Sequence, residues 1–229
     1  MKVFVGYDAR EDIAYKVCEY SIKKHQPTAE VIPLVQDDLR ALGLYWREKD
    51  ALASTDFSLT RFLVPALMNY QGWALFCDCD FLWTDDIQKL FDLRDETKAV
   101  MVVKHDYTPV EGIKMDGQQQ HVYPRKNWSS MILWNCGHPS NKYLVPDAVN
   151  AETPQFLHRF QWIRDHYIGE VDKEWNWLVN WYRDGTPKAI HYTEGGPWFD
   201  NYKDCDYADV WNTYKPVSYT HLRAHETLR

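Results

Sequence analysis

Short apolar runs separated by amphipathic stretches organise this chain. Lys2 to Tyr7 reads as a strand and is closed by Asp8. From Glu11 to His25 the period becomes helical, with Ile13, Val17, Tyr20 and Ile22 on one face. Glu30 to Val35 returns to a strand pattern. This β-α-β opening with short loops predicts an α/β sheet. Gln36 to Thr55 reads as a long connection, part helical. Ser58 to Tyr70 predicts a helix with Phe62, Leu63, Leu67 and Met68 on its apolar side, Ser58 as its cap and Pro65 at a kink or late start. The apolar run Gly72 to Cys77 predicts a buried strand that carries Asp78-Cys79-Asp80 at its end. Asp85-Asp86-Ile87 opens a short helix to Phe91, its two acids favourable at a helix N-terminus. Ala99 to Lys104 and Ser129 to Trp134 read as strands, and Tyr107 to Arg125 between them as a long polar loop of the functional or mobile kind. Phe156 to Gly185 reads as helix-rich, and Ala189 to Tyr192 as a last short strand before the turn Glu194-Gly195-Gly196-Pro197. There is no internal repeat and no linker composition, so one domain is expected.

Composition narrows the function classes. At 229 residues with 45% hydrophobic and 26% charged residues, the chain has the make-up of a globular protein with a full core. The net charge of −7 argues against a nucleic-acid partner, which would leave a basic footprint. It does not exclude phosphate ligands, because a bound cation supplies positive charge locally. No apolar run approaches the roughly 18 residues of a membrane span, and the start runs straight into a strand, so no signal peptide is expected. Five cysteines, an odd number with no Cys-x-x-Cys pair, read as reduced thiols; this predicts a cytoplasmic protein and no zinc site. The 11 Trp and 15 Tyr will mostly be core, with some lining a groove, since flat rings suit sugar and base faces. The last residues, 217–229, resemble a translated sequencing adapter, so they are set aside from the fold as a non-native tail, and native sequence is expected to have followed residue 216.

Four segments carry candidate chemistry. Residues two apart on a strand share a face, so Asp78 and Asp80 point one way and Cys77 and Cys79 the other. Two neighbouring carboxylates at a strand end repel and lose hydration; a divalent cation compensates, and hard oxygen ligands suit Mg²⁺ or Mn²⁺ on a diphosphate. The same tripeptide also serves as a turn or helix cap. Tyr7 and Asp8 end the first strand, where ligands bind in open α/β sheets; Tyr7 offers a ring to a base and Asp8 an acceptor to a ring nitrogen or ribose hydroxyl. No glycine-rich phosphate loop follows them. In Asp56-Phe57-Ser58-Leu59-Thr60-Arg61, Arg61 is a bidentate partner for a sugar phosphate. Arg125-Lys126-Asn127-Trp128-Ser129-Ser130 places two cations, an amide, a ring and two hydroxyls before a strand. His191 ends the last strand and is placed to complete a metal shell with Asp78 and Asp80; Gly195 and Gly196 after it would let a backbone approach a ligand.

In this order the segments resemble the GT-A-fold glycosyltransferases, most of all the glycogenin-like family eight and its bacterial relatives. The resemblance runs from Lys2 to Trp198: an N-terminal strand, Thr60-Arg61-Phe62-Leu63-Val64-Pro65, the Asp78-Cys79-Asp80 strand end, Asn127-Trp128-Ser129-Ser130 leading a strand, and His191 to Pro197-Trp198. It implies a single GT-A-type, Rossmann-like α/β domain over residues 1–216, with a mixed, mostly parallel central sheet flanked by helices. It also implies Mn²⁺ or Mg²⁺ held by Asp78, Asp80 and His191 on a nucleotide diphosphate sugar, Tyr7 and Asp8 on the base or ribose, and Arg61 on the donor. Two positions depart from the family. Gly196 replaces a Lys between the His and Pro-Trp, which leaves Lys126 to meet diphosphate charge. The family's acidic pair with Asn is matched only in part by Asp172-Lys173-Glu174-Trp175-Asn176.

The implied reaction is transfer of a hexose, from a UDP-sugar by preference, to a hydroxyl of a glycan or other acceptor. Asp78, Asp80, Arg61 and Lys126 form the expected catalytic set, and Tyr7, Asp8, Asp56, Arg61, Asn127, Ser129, Gly195 and Gly196 the expected donor contacts. Two other classes compete. A nucleotide-sugar or glycan-binding protein of the same fold would bind without turnover. A metal-dependent phosphohydrolase would add carboxylates near Asp80, for which Asp85 and Asp86 are the candidates.

Overall fold

The computed structural model describes residues 1–48, 55–106 and 124–215, together with the backbone of 112–113 and 119–120. The expected polar loop Tyr107 to Arg125 lies largely outside the described residues, as does the tail 217–229. In chain order the elements are β1 (Lys2–Gly6), α1 (Asp12–His25), β2 (Glu30–Leu34), α2 (Gln36–Ala41), α3 (Val64–Leu67), β3 (Trp73–Cys77), β4 (Phe81–Trp83), α4 (Ile87–Phe91), β5 (Val100–Val102), β6 (Gly112–Ile113) and β7 (Gln119–Gln120). They continue with β8 (Met131–Asn135), α5 (Pro146–Ala151), α6 (Pro154–His158), β9 (Ile168–Glu170), β10 (Trp177–Leu178) and β11 (Ala189–His191). Residues 208–215 are helical.

The central sheet has six strands in the order β2-β1-β3-β8-β5-β9. β1 runs parallel to β2 and β3, β8 runs antiparallel to β3 and β5, and β9 runs parallel to β5. This is the mixed, mostly parallel α/β sheet that the β-α-β opening predicts. Its inner strands are buried on both faces, as the continuous apolar runs of β3 and β8 require. A second, three-stranded sheet, β10-β11-β4, stands beside it. Helix α1 serves both: Tyr15, Cys18 and Ile22 join the main core, whereas Val17 joins a smaller cluster with Leu82, Ile190, Tyr192 and Trp211.

Two predicted elements differ from what formed. The stretch predicted as one helix from Ser58 to Tyr70 is a 3-10 turn, Thr60–Leu63, followed by the single turn of α3 with Pro65 at its start. Proline lacks the N–H an interior position needs, so the helix begins at it. Ser58 does not cap this turn; its hydroxyl donates to the Thr55 carbonyl at 2.9 Å. The Trp-rich region 156–185 is a patchwork rather than helix-rich: it holds the end of α6, two 3-10 turns and the short strands β9 and β10. Asp86 does behave as a helix start, its side chain accepting from Gln88 N–H at 2.8 Å, and Asp85 accepts from Lys89 at 2.7 Å. These bonds account for both acids as the opening of α4.

Candidate metal and nucleotide site

β3 ends at Cys77, so Asp78-Cys79-Asp80 forms the turn into β4 and is not part of the strand. The strand alternation that groups the two aspartates is therefore not what brings them together. The backbone N–H of Asp78 donates to the Ser130 carbonyl at 2.9 Å, at the head of β8. The Asp80 carbonyl accepts from Tyr192 N–H at 3.1 Å, beyond the end of β11. One aspartate is thus tied to the large sheet and the other to the small one. His191 ends β11 opposite Phe81 of β4, and its ring stacks on that phenylalanine with 4.4 Å between centroids. The three candidate ligand atoms of Asp78, Asp80 and His191 all lie within 4.8 Å of one another. His191 Nε2 is 3.4 Å from Asp80 Oδ2.

The histidine is oriented from behind. Its Nδ1 lies 2.8 Å from Asn176 Oδ1. The amide nitrogen of Asn176 faces the Asn127 carbonyl at 3.4 Å and the Ser130 hydroxyl at 2.9 Å. A carbonyl only accepts, so the nitrogen must point that way and Oδ1 must accept from Nδ1–H. The proton on Nδ1 leaves the lone pair of Nε2 aimed at the aspartates. A hydrogen bond of this kind fixes the tautomer and the ring plane of metal-binding histidines.

These residues face a cavity of about 100 Å³ that also takes in Glu11, Thr55, Arg61, Asn127, Ser129, Ser130, His158 and Thr193. The Arg61 guanidinium is buried; Nη1 contacts Asp78 Oδ1 at 2.8 Å and donates to the Ser129 carbonyl at 2.7 Å, while Nε donates to the Ser58 carbonyl at 3.0 Å. Its first role is therefore to hold the Asp78 carboxylate. Among the described residues the charged lining is Glu11, Asp78 and Asp80 against Arg61, so with these acids ionised they leave a deficit of two positive charges. Asp80 Oδ1 is buried without a hydrogen-bond partner among the described residues. That orphaned oxygen, the charge deficit and the mixed carboxylate–imidazole donor set fit a divalent cation of the Mn²⁺ or Mg²⁺ kind.

The other predicted contacts divide. Asn127 and Ser129 line the cavity. Asn127 adopts a left-handed backbone, φ 63°, accepts from the Thr193 hydroxyl at 3.3 Å, and leaves its amide nitrogen unpartnered among the described residues. Tyr7, Asp8, Asp56, Lys126, Gly195 and Gly196 do not line it. Tyr7 donates to Asp12 at 3.1 Å. Asp8 is buried and accepts from Arg10 and from Asp56 N–H, and these bonds hold its carboxyl below the usual range against the desolvation that raises it. Asp56 is exposed and Lys126 is buried. A Cβ at Gly196 would meet the Trp198 ring at 2.0 Å, and Gly195 has φ +130° against Tyr202, so both glycines answer to ring packing.

Three cavity or support residues escape the sequence reading. Asn176 is noticed only as part of an incomplete motif. His158 sits in α6, its Nδ1 2.8 Å from the Ser129 hydroxyl; burial, then the Arg61 charge, push it down to about 3, so it stays neutral. Glu11 is 3% exposed, and burial, then the charges of Asp80, Asp8 and Asp78, push it up to about 8.

No protein-family model matches the chain. Among solved structures it is similar to the glycosyltransferase GlyE of Streptococcus pneumoniae TIGR4, 12% identical with a TM-score of 0.61, covering 98% of this chain and 63% of that one. The bifunctional glycosyltransferase WbbM aligns at 15% identity and a TM-score of 0.66, covering 94% of this chain and 49% of its own. The galactosyltransferase LgtC, crystallised with donor and acceptor sugar analogues, aligns at 10% identity and a TM-score of 0.60 over 95% and 96% of the two chains. The chain thus spans less than two thirds of GlyE and about half of WbbM. Identities this low show the fold, which is the GT-A fold of glycosyltransferases. Among the described residues no helix is long and apolar enough to cross a membrane. In sequence, Protein CDI of Arabidopsis thaliana is 58% identical over 217 residues, 92% of this chain and 84% of that protein, and the chain belongs to the Protein CDI family.

Proposed function

We propose that this chain is a metal-dependent glycosyltransferase of the glycogenin-like group, moving a hexose from a nucleotide diphosphate sugar, UDP-linked by preference, to a hydroxyl of a glycan acceptor. One observation carries the reading: the ligand atoms of Asp78, Asp80 and His191 converge within 4.8 Å in the wall of a cavity, on the turn that follows a central strand. The GT-A fold supports it, because ligands of open α/β sheets gather at the carboxyl ends of their strands.

The chemical difficulty is the leaving diphosphate, which gains negative charge as the glycosidic bond breaks. Mn²⁺ or Mg²⁺ held by Asp78, Asp80 and His191 would supply Lewis-acid stabilisation of that charge. Arg61 keeps Asp78 in position and adds a fixed positive charge to the wall. It takes the part the sequence assigns to Lys126, which is not in the cavity. Asn176 holds His191 with Nε2 free of a proton. Asn127 offers its unpartnered amide N–H to an oxygen of the donor. The same reading takes residues 1–216 as the catalytic domain and the cytoplasm as its compartment, in keeping with five free cysteines, four of them buried.

A thermal-shift panel of UDP- and GDP-sugars, with and without Mn²⁺, tests the reading. Stabilisation that needs both metal and nucleotide sugar is expected, together with slow donor hydrolysis. Stabilisation without any hydrolysis would favour the binding protein of the same fold. A flat panel would contradict both.

A further inference from the structure

Glu11 has no place in the chemistry above, yet it stands in the same cavity. It closes the 3-10 turn Ala9–Glu11 directly after β1, its N–H bonded to the Asp8 carbonyl at 2.9 Å. The side chain is 3% exposed, and Oε2 is buried with no hydrogen-bond partner among the described residues. The nearby Trp198 indole N–H lacks the geometry to satisfy it and only partly offsets the surrounding acids. A carboxylate buried beside Asp80 and Asp8 with an orphaned oxygen costs stability, so nothing in folding accounts for it. Nor is it one of the three converging ligands, which are Asp78, Asp80 and His191.

What would satisfy Glu11 follows from its chemistry. An ionised carboxylate only accepts, and a phosphate oxygen beside it would repel. A protonated carboxyl both donates and accepts. Oε2 is the atom left over, so whichever form is present, the ligand must either donate a hydrogen bond to it or accept its proton. A hydroxyl, itself donor and acceptor, satisfies either form; a phosphate oxygen satisfies only the acid. The neutral parts of a nucleotide sugar present such hydroxyls on the ribose and on the hexose.

We propose that Glu11 is a donor-recognition residue whose buried carboxyl binds a sugar hydroxyl of the metal-bound nucleotide sugar. This rests on the glycosyltransferase reading, and the test separates the two. With Mn²⁺ present, calorimetry measures the affinity of the wild type, Glu11→Gln and Glu11→Ala for pyrophosphate, UDP, GDP, 2′-deoxy-UDP and UDP-glucose. Glu11→Ala should bind pyrophosphate like the wild type and the hydroxyl-bearing ligand about ten- to hundredfold more weakly. A loss already present with UDP and absent with 2′-deoxy-UDP assigns the ribose; a loss confined to UDP-glucose assigns the hexose. Glu11→Gln keeps the size of the side chain and an acceptor oxygen, so it should retain more of that affinity than Glu11→Ala. Unchanged affinities in Glu11→Ala, or a loss toward pyrophosphate as large as toward the hydroxyl-bearing ligand, would overturn the proposal. A wild type that binds no nucleotide at all would sink the glycosyltransferase reading first, and the role of Glu11 with it.

Discussion

The two sheets of this molecule do different work. The six-stranded sheet is apolar along its inner strands, with Leu75 and Leu133 paired across β3 and β8 and fully buried. The three-stranded sheet is short, and its outstanding feature is that β11 ends in His191. The turn Asp78–Asp80 is bonded to both, through Ser130 on one side and Tyr192 on the other. The large sheet supplies stability, and the small one sets where an imidazole meets two carboxylates. Ligand geometry is therefore a property of how the two sheets are joined, and it can be disturbed without unfolding the protein.

The largest effect expected from breaking this division is in the scaffold. Leu133→Ala should cost about 2–5 kcal/mol of stability, read by chemical denaturation. The remaining folded protein should keep its Mn²⁺ affinity. Asp80→Asn should do the reverse. It keeps the shape of the side chain but removes a charge from the acid cluster, so the melting temperature should hold or rise. Donor hydrolysis should fall about 10²–10³-fold, the usual loss when one charge-stabilising group is removed.

Asn176→Ala sharpens the comparison, because this residue lies in neither ligand set nor sheet core. It should weaken Mn²⁺ binding about 10–100-fold by freeing the His191 tautomer, the scale typical of such supporting bonds. A structural role alone would lower stability and leave metal affinity in place.

The smallest effect is a pH dependence. Glu11 is raised to about 8 from an ordinary value of 4.5, so the folded state binds a proton that the unfolded chain releases. Its favourable contribution is whole below pH 4.5 and is lost as pH rises through about 8. Melting temperature without metal should decline across that window, and in Glu11→Gln the decline should flatten. An equal slope in both proteins would remove Glu11 as its cause.

The legibility of these features in the sequence follows the same division. Strand and helix patterns over residues 2–35 are readable because short apolar runs and a helical period are local and long enough to see. β9 and β10 were not: strands of three and two residues carry no period, and the surrounding tryptophans fit any buried element. The convergence of Asp78, Asp80 and His191 was readable from residue chemistry together with family order, although the aspartates meet through a turn and not a strand face. Glu11 was unreadable for a physical reason. An acid at a helix start ordinarily faces water, and only the fold, by laying Asp80 and Trp198 over it, removes that water. Gly195 and Gly196 are the opposite case, since glycine freedom that reads as meant for a ligand also admits the rings of Tyr202 and Trp198.

The most direct test of the account is a Mn²⁺ titration followed by electron paramagnetic resonance, with and without UDP, on the wild type and His191→Ala. One ion per chain, tightened by UDP and lost or weakened at least tenfold in the variant, is the predicted result. Equal Mn²⁺ binding by both proteins would show that the imidazole from the small sheet does not complete the site.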